Sequence, residues 1–145
     1  MITDSLAILG CGNIGSSIAK GLVKSGIKSK NIFLSRRKIN QLNDFNDKGF
    51  KITDDNTLAI KQSKIIILAV GPNHIIELID EINSFVNKEH LIISIVSGVT
   101  IAELESKLNL KNQIVRAMPN TAAMLCESMT CIASNNNRNL KKAVN

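Results

Sequence analysis

Tryptophan and tyrosine are both absent from this chain of 145 residues, and its four phenylalanines fall at apolar positions. Single-stranded nucleic acid is held largely by stacking of bases on aromatic rings, so that mode of binding has little to work with here. The positive balance, 18 Lys and Arg against 12 Asp and Glu for a net charge of +6, does not restore it. Nucleic-acid binders gather such charge into a patch, whereas these lysines are scattered from Lys20 to Lys142. Nucleic acid is therefore not expected as a partner. Cysteine is scarce as well: Cys11, Cys126 and Cys131 are odd in number and match no zinc spacing. They read as small apolar residues in a reducing compartment, with no metal expected. No apolar run reaches the about 18 residues that suggest a membrane span, and Met1-Ile2-Thr3-Asp4 lacks the basic start of a secretion signal. The expectation is a soluble, cytoplasmic protein with no membrane partner.

What is present is an apolar strand that runs directly into a glycine-spaced turn. With 44% hydrophobic residues the chain can bury one sizeable core, about one domain's worth. Its first apolar run, Ser5 to Leu9, suits a buried parallel strand. Gly10-Cys11-Gly12-Asn13-Ile14-Gly15 follows, and Ile14, Ile18, Ala19, Leu22 and Val23 then recur at helical spacing until Gly26. In such a strand-turn-helix unit Gly10 permits the tight turn, Gly12 clears the way for backbone to approach a pyrophosphate, and Gly15 lets the helix pack closely on the strand. The helix N-terminus, with its free N–H groups and partial positive charge, faces the phosphates. The context thus reads as a dinucleotide cradle, and an ordinary glycine turn is the plainer alternative.

At the end of the next predicted strand, Asn31 to Leu34, a chain selecting NAD usually places Asp or Glu to receive the ribose 2′-hydroxyl. Here stand Ser35, Arg36 and Arg37 instead. A hydroxyl and two guanidinium forks suit a 2′-phosphate, so NADP(H) is the expected cofactor, with NAD(H) as the alternative. Solvated arginines opening the next helix would be the simpler explanation of the same residues.

Further along, strands and helices alternate. A polar helical segment is expected over about 38–48, a strand at Phe50 to Thr53, and a brief helix capped by Asp54 or Asp55 and running to Lys61. The clearest buried strand is Lys64 to Val70, followed by Gly71-Pro72 and a helix from about Asn73 to Val86. Leu91 to Val96 is the next strand, and Thr100-x-x-Glu103 forms a capping box for a helix to Leu108. Strands at Gln113 to Ala117 and Met129 to Ala133 and a helix from Asn139 complete the reading. This rhythm implies a parallel sheet covered on both faces. Ligands of such sheets lie beyond the carboxyl ends of the strands, which singles out residues 10–15, 35–37, 71–73, 97–100 and 118–121. They are glycines, hydroxyls, amides and arginines, with no evident nucleophile or paired acid.

Taken together the motifs closely resemble the pyrroline-5-carboxylate reductases. The resemblance rests on Gly10-Cys11-Gly12-Asn13-Ile14-Gly15 with Ala19-Lys20-Gly21-Leu22, on Leu68-Ala69-Val70-Gly71-Pro72, on the block from Ile93 to Ile101, and above all on Val115-Arg116-Ala117-Met118-Pro119-Asn120-Thr121-Ala122. It implies a Rossmann-like, doubly wound α/β fold with a mostly parallel sheet and helices on both faces. It also implies NADP(H)-dependent reduction of 1-pyrroline-5-carboxylate to L-proline, the last step of proline biosynthesis. Carried over residue by residue, cofactor contacts fall on Gly10, Gly12, Asn13, Ile14 and Gly15, on Ser35, Arg36 and Arg37, on Asn56, on Ala69, Val70 and Gly71, and on Ser97. Asn120 falls near nicotinamide and substrate. Asn56 also reads as a helix N-cap from the residues alone. Where the family commonly has Lys, this chain has Gly71. The family continues into a helical domain that makes the homo-oligomer and completes the substrate pocket, and residues 1–145 correspond to the cofactor domain that precedes it. The chain is thus expected to be an excised domain or a shortened product, with negligible turnover alone. A non-catalytic NADP(H)-binding module is the competing reading, whereas short-chain dehydrogenases, whose chemistry needs a tyrosine, are excluded.

Overall fold

In the computed structural model, which describes residues 5–109, 113–119 and 130–144, the apolar runs become strands of one sheet. They are β1 (Leu6–Leu9), β2 (Ile32–Ser35), β3 (Lys51–Thr53), β4 (Ile65–Leu68), β5 (Leu91–Ser94), β6 (Ile114–Pro119) and β7 (Thr130–Ser134). Their order is β3-β2-β1-β4-β5-β6-β7, with every pair parallel except β6 and β7. The helices are α1 (Asn13–Lys24), α2 (Asn43–Asn46), α3 (Asn56–Lys61), α4 (Ile75–Ile82), α5 (Ile101–Leu108) and α6 (Asn137–Val144).

Both faces of the sheet are buried because its central strands are apolar at every position rather than at alternate ones. Ala7 and Leu9 of β1, Ile66 and Leu68 of β4 and Ile92 of β5 join Ile60, Ile79 and Leu104 from α3, α4 and α5 on one side. Leu6 and Ile8 of β1 and Ile67 of β4 join Ala19 of α1 and Phe45 of α2 on the other. This is the Rossmann-like doubly wound arrangement that the sequence predicts.

The polar segment takes a different form from the one expected, and β7 is the strand that makes the sheet mostly, rather than wholly, parallel. The polar segment 38–48 is not one helix but a 3-10 turn, Ile39–Leu42, leading into the single turn of α2. Asn40, Asn43, Asp44, Asn46 and Asp47 are weak helix formers whose side chains compete for backbone hydrogen bonds, and only Leu42 and Phe45 anchor the segment in the core. The final strand, β7, is antiparallel. A parallel return needs a crossover of a dozen or more residues, and the stretch between Pro119 and Thr130 is shorter.

His90 sits just before β5, 8% exposed, and its Nδ1 accepts the Asn87 N–H at 3.0 Å. Burial holds its pKa below the ordinary 6.5. Because the unfolded chain then binds this proton more readily, the contribution is full above pH 6.5 and is lost as pH falls below it. Denaturant midpoints should therefore drop between pH 7.5 and 5.5, and less steeply in His90→Asn; equal slopes would remove His90 as the cause.

Candidate functional site

The strand order reverses direction at β1, where the chain passes to β2 and β3 on one side and later to β4 and β5 on the other. That is the position at which a doubly wound sheet opens a crevice beyond its carboxyl ends. The walls are tied together by backbone: Gly10 N–H and Cys11 N–H donate to the Ser35 carbonyl at 3.1 and 2.8 Å, and Ala69 N–H donates to that of Leu9 at 2.8 Å. Above them lies a cleft of about 480 Å³.

The three motif glycines stand in three different settings. Gly10 has φ +85°, and a Cβ on it would lie 2.9 Å from the Val70 nitrogen and 3.0 Å from its Cα. At Gly15 a Cβ would press on Ile8 Cγ2 at 3.2 Å and on the Gly10 carbonyl at 3.3 Å, so the missing side chain lets α1 close on β1. Gly12 is unlike both. Its φ of −86° is open to any residue, and the nearest atom to a built Cβ is 4.0 Å away. Among the described residues no contact demands glycine there, and Gly12 lines the cleft.

The start of α1 carries the second peculiarity. Its N-cap is Gly12, with no side-chain cap and no acidic residue in the first turn. α2 and α4 likewise lack a side-chain cap but carry an acid in the first turn, Asp44 and Glu77, and α3 and α5 provide for such donors directly. Asp55 accepts the N–H groups of Thr57 and Leu58 at 2.8 and 3.1 Å, and Thr100 and Glu103 form the predicted capping box. Among the described residues no side chain thus receives the first N–H groups of α1, a site suited to an anion. Beneath the loop, burial pushes the Cys11 thiol up, so this cysteine is a neutral packing residue.

At the far end of the cleft, β2 delivers Ser35, Arg36 and Arg37. Ser35 is buried, and its hydroxyl donates to Asn56 Oδ1. The Arg36 backbone is fixed by the Thr53 carbonyl at 3.1 Å, and its Nη1 donates to the Cys11 carbonyl at 3.2 Å. Arg37 pairs with Glu77, which holds the Glu77 carboxyl below its usual range. Asn56 is the first residue of α3, yet Asp55 is its cap; the Asn56 amide instead reaches Glu81 at 3.1 and 3.0 Å.

Of the residues singled out from sequence, Gly10, Gly12, Ser35, Arg36, Arg37, Asn56, Ala69, Val70 and Gly71 line this one cleft. Asn13, Ile14 and Gly15 form the adjoining first turn of α1, where Ile14 is half exposed. Ser97, exposed beyond β5, is not part of the cleft wall. Asn120 and Thr121 lie outside the described residues. Sequence reading missed Lys38, Gln41, His74, Leu78 and Glu81, and considered Asp54 only as a cap. His74, Leu78 and Glu81 follow β4 as Lys38 and Gln41 follow β2, so the signal lay in extending each post-strand segment by one or two helical turns. Among the described residues no helix is long and apolar enough to cross a membrane.

A family model described as NADP oxidoreductase, coenzyme F420-dependent, matches residues 5–98. The chain is 47% identical over 134 residues to pyrroline-5-carboxylate reductase 2 of Dictyostelium discoideum, covering 90% of this chain and 45% of that protein. Among solved structures it superposes on a pyrroline-5-carboxylate reductase from Coxiella burnetii with TM-score 0.91 at 28% identity, over 98% of this chain and 54% of that one. The Plasmodium falciparum pyrroline carboxylate reductase with NADP bound gives TM-score 0.85 at 26% identity, over 99% and 53%. The chain spans about half the length of the relatives it matches.

Proposed function

We propose, because the chain belongs to the NADP oxidoreductase, coenzyme F420-dependent, family and is similar to about half the length of pyrroline-5-carboxylate reductases, that it is the cofactor-binding part of such a reductase. Its reaction would be NADP(H)-dependent conversion of 1-pyrroline-5-carboxylate to L-proline. The observation that carries the reading is the run from Gly12 to Gly15, where vacant side-chain space meets uncapped N–H donors.

The residues fit a dinucleotide phosphate. The α1 N-terminus would receive the pyrophosphate, with Gly12 leaving room for its oxygens. Ser35, Arg36, Arg37 and Asn56 would surround the ribose 2′-phosphate, the guanidiniums offering fixed forks of donors. Ala69, Val70 and Gly71 form the cleft wall beside β4, and Asn120 is proposed near nicotinamide and substrate. When bound, the reduced cofactor supplies hydride to the imine carbon. The chain's own part is to orient it and to fix charge around it. Completion of the substrate pocket and homo-oligomer formation are proposed for a further, helical segment.

Calorimetry tests the cofactor half of this proposal. NADPH should bind about 5- to 100-fold more tightly than NADH, since charged hydrogen bonds are worth roughly 1–3 kcal/mol; equal affinities would remove the basis for NADP(H). For the substrate half, NADPH oxidation with 1-pyrroline-5-carboxylate should be negligible for these 145 residues. Robust proline formation would refute the need for a further segment.

A further inference from the structure

Two of the donors assigned to a 2′-phosphate, Arg37 and Asn56, are already engaged by carboxylates of the chain itself. Glu77 and Glu81 stand one turn apart on α4 and so share a face of the helix. Glu77 pairs with Arg37, and it lies 3.9 Å from His74 as well. Across from it, Glu81 takes the Asn56 amide through both oxygens at 3.1 and 3.0 Å, while Asn56 in turn receives the Ser35 hydroxyl. The result is a continuous relay, Ser35 to Asn56 to Glu81, beside the Arg37–Glu77 pair. Each hydrogen bond points toward negative charge. Sequences that select an unphosphorylated ribose place their acid at the end of the second strand; here the acids approach the same place from α4.

We propose that Glu77 and Glu81 form an internal stand-in for the 2′-phosphate: they hold two of its donors, Arg37 and Asn56, in the ligand-free chain and thereby set how strongly the cleft prefers a phosphorylated ribose. This rests on the cofactor reading above and adds a specificity determinant to it. An entering phosphate must displace two carboxylates from Arg37 and Asn56 and then lie close to both of them. The carboxylates oppose only that phosphate, and a bare ribose leaves them in place with acceptors available for its hydroxyls.

The test compares the wild-type chain with the E77Q/E81Q variant by calorimetry, using adenosine 2′,5′-bisphosphate and 5′-AMP as probes. The variant should bind the bisphosphate about two- to tenfold more tightly, the range expected when exposed like charges are removed, and the gain should shrink in high salt. Affinity for 5′-AMP should stay level or fall. Unchanged or weaker bisphosphate binding by a variant of wild-type melting temperature would overturn the proposal, as would an equal gain for 5′-AMP. E81Q alone, which leaves the Arg37–Glu77 pair in place, serves if the double variant is poorly folded; with it the bisphosphate should again gain and 5′-AMP should not. Failure of the wild-type chain to bind either probe or NADPH would instead overturn the cofactor reading, and this proposal with it.

Discussion

Replacing Gly12 by valine is expected to cut NADP(H) affinity about a hundredfold, since displacing the pyrophosphate from two amide donors forfeits roughly 1.5 kcal/mol at each. The fold should survive. Gly12 has negative φ, and apart from its chain neighbours no atom of the described residues lies closer than 4.0 Å to the position its Cβ would take. The only structural cost is a poorer N-cap, worth about 1 kcal/mol. Valine would branch into the cleft where a phosphate oxygen would sit, so the loss appears mainly in the ligand titration, while the melting temperature falls by only about 2–5 °C. Wild-type affinity in this variant would mean that the pyrophosphate, if bound at all, does not approach the loop.

Replacing Gly10 by alanine should do the opposite, lowering stability by about 2–4 kcal/mol through the combined cost of a left-handed non-glycine residue and an overpacked contact. The φ of +85° is one part of that cost. The other is Val70, whose backbone nitrogen and Cα would lie 2.9 and 3.0 Å from the new methyl group. Because backbone is involved, trimming the neighbour with Val70→Ala should recover only part of the loss in urea denaturation. Full recovery would assign the whole effect to side-chain crowding. The two variants, separated by one residue, thus divide the loop into a position the fold needs and a position it does not.

How much of this was legible beforehand depended on the kind of signal. The buried strands were readable because Ile65-Ile66-Ile67-Leu68 and Leu91-Ile92-Ile93 are apolar at every position, which only a sheet covered on both faces explains. The Thr100–Glu103 capping box was readable because it is local. Asn56 was ambiguous, since an amide before a helical run reads as a cap; only the neighbouring Asp55 taking the Thr57 and Leu58 N–H groups frees Asn56 to turn toward Ser35. Arg37 looked like an unencumbered phosphate ligand, and its pairing with Glu77 was invisible because the partner lies forty residues further on. Leu78 and Glu81 escaped notice for a different reason: they line the cleft one to two helical turns beyond the segment that directly follows β4, where the reading of that segment stopped. Local chemistry was legible and the meeting of distant segments was not.

The central claim, that the amides opening α1 hold a dinucleotide's phosphates, is tested most directly by titrating the isotope-labelled chain with NADP⁺ and following backbone amide signals. Saturable shifts at Gly12 to Ser16, together with shifts at Ser35 to Arg37, are the predicted result. Signals that stay fixed across the glycine loop at saturating NADP⁺, or that move only at a distant surface, would contradict it.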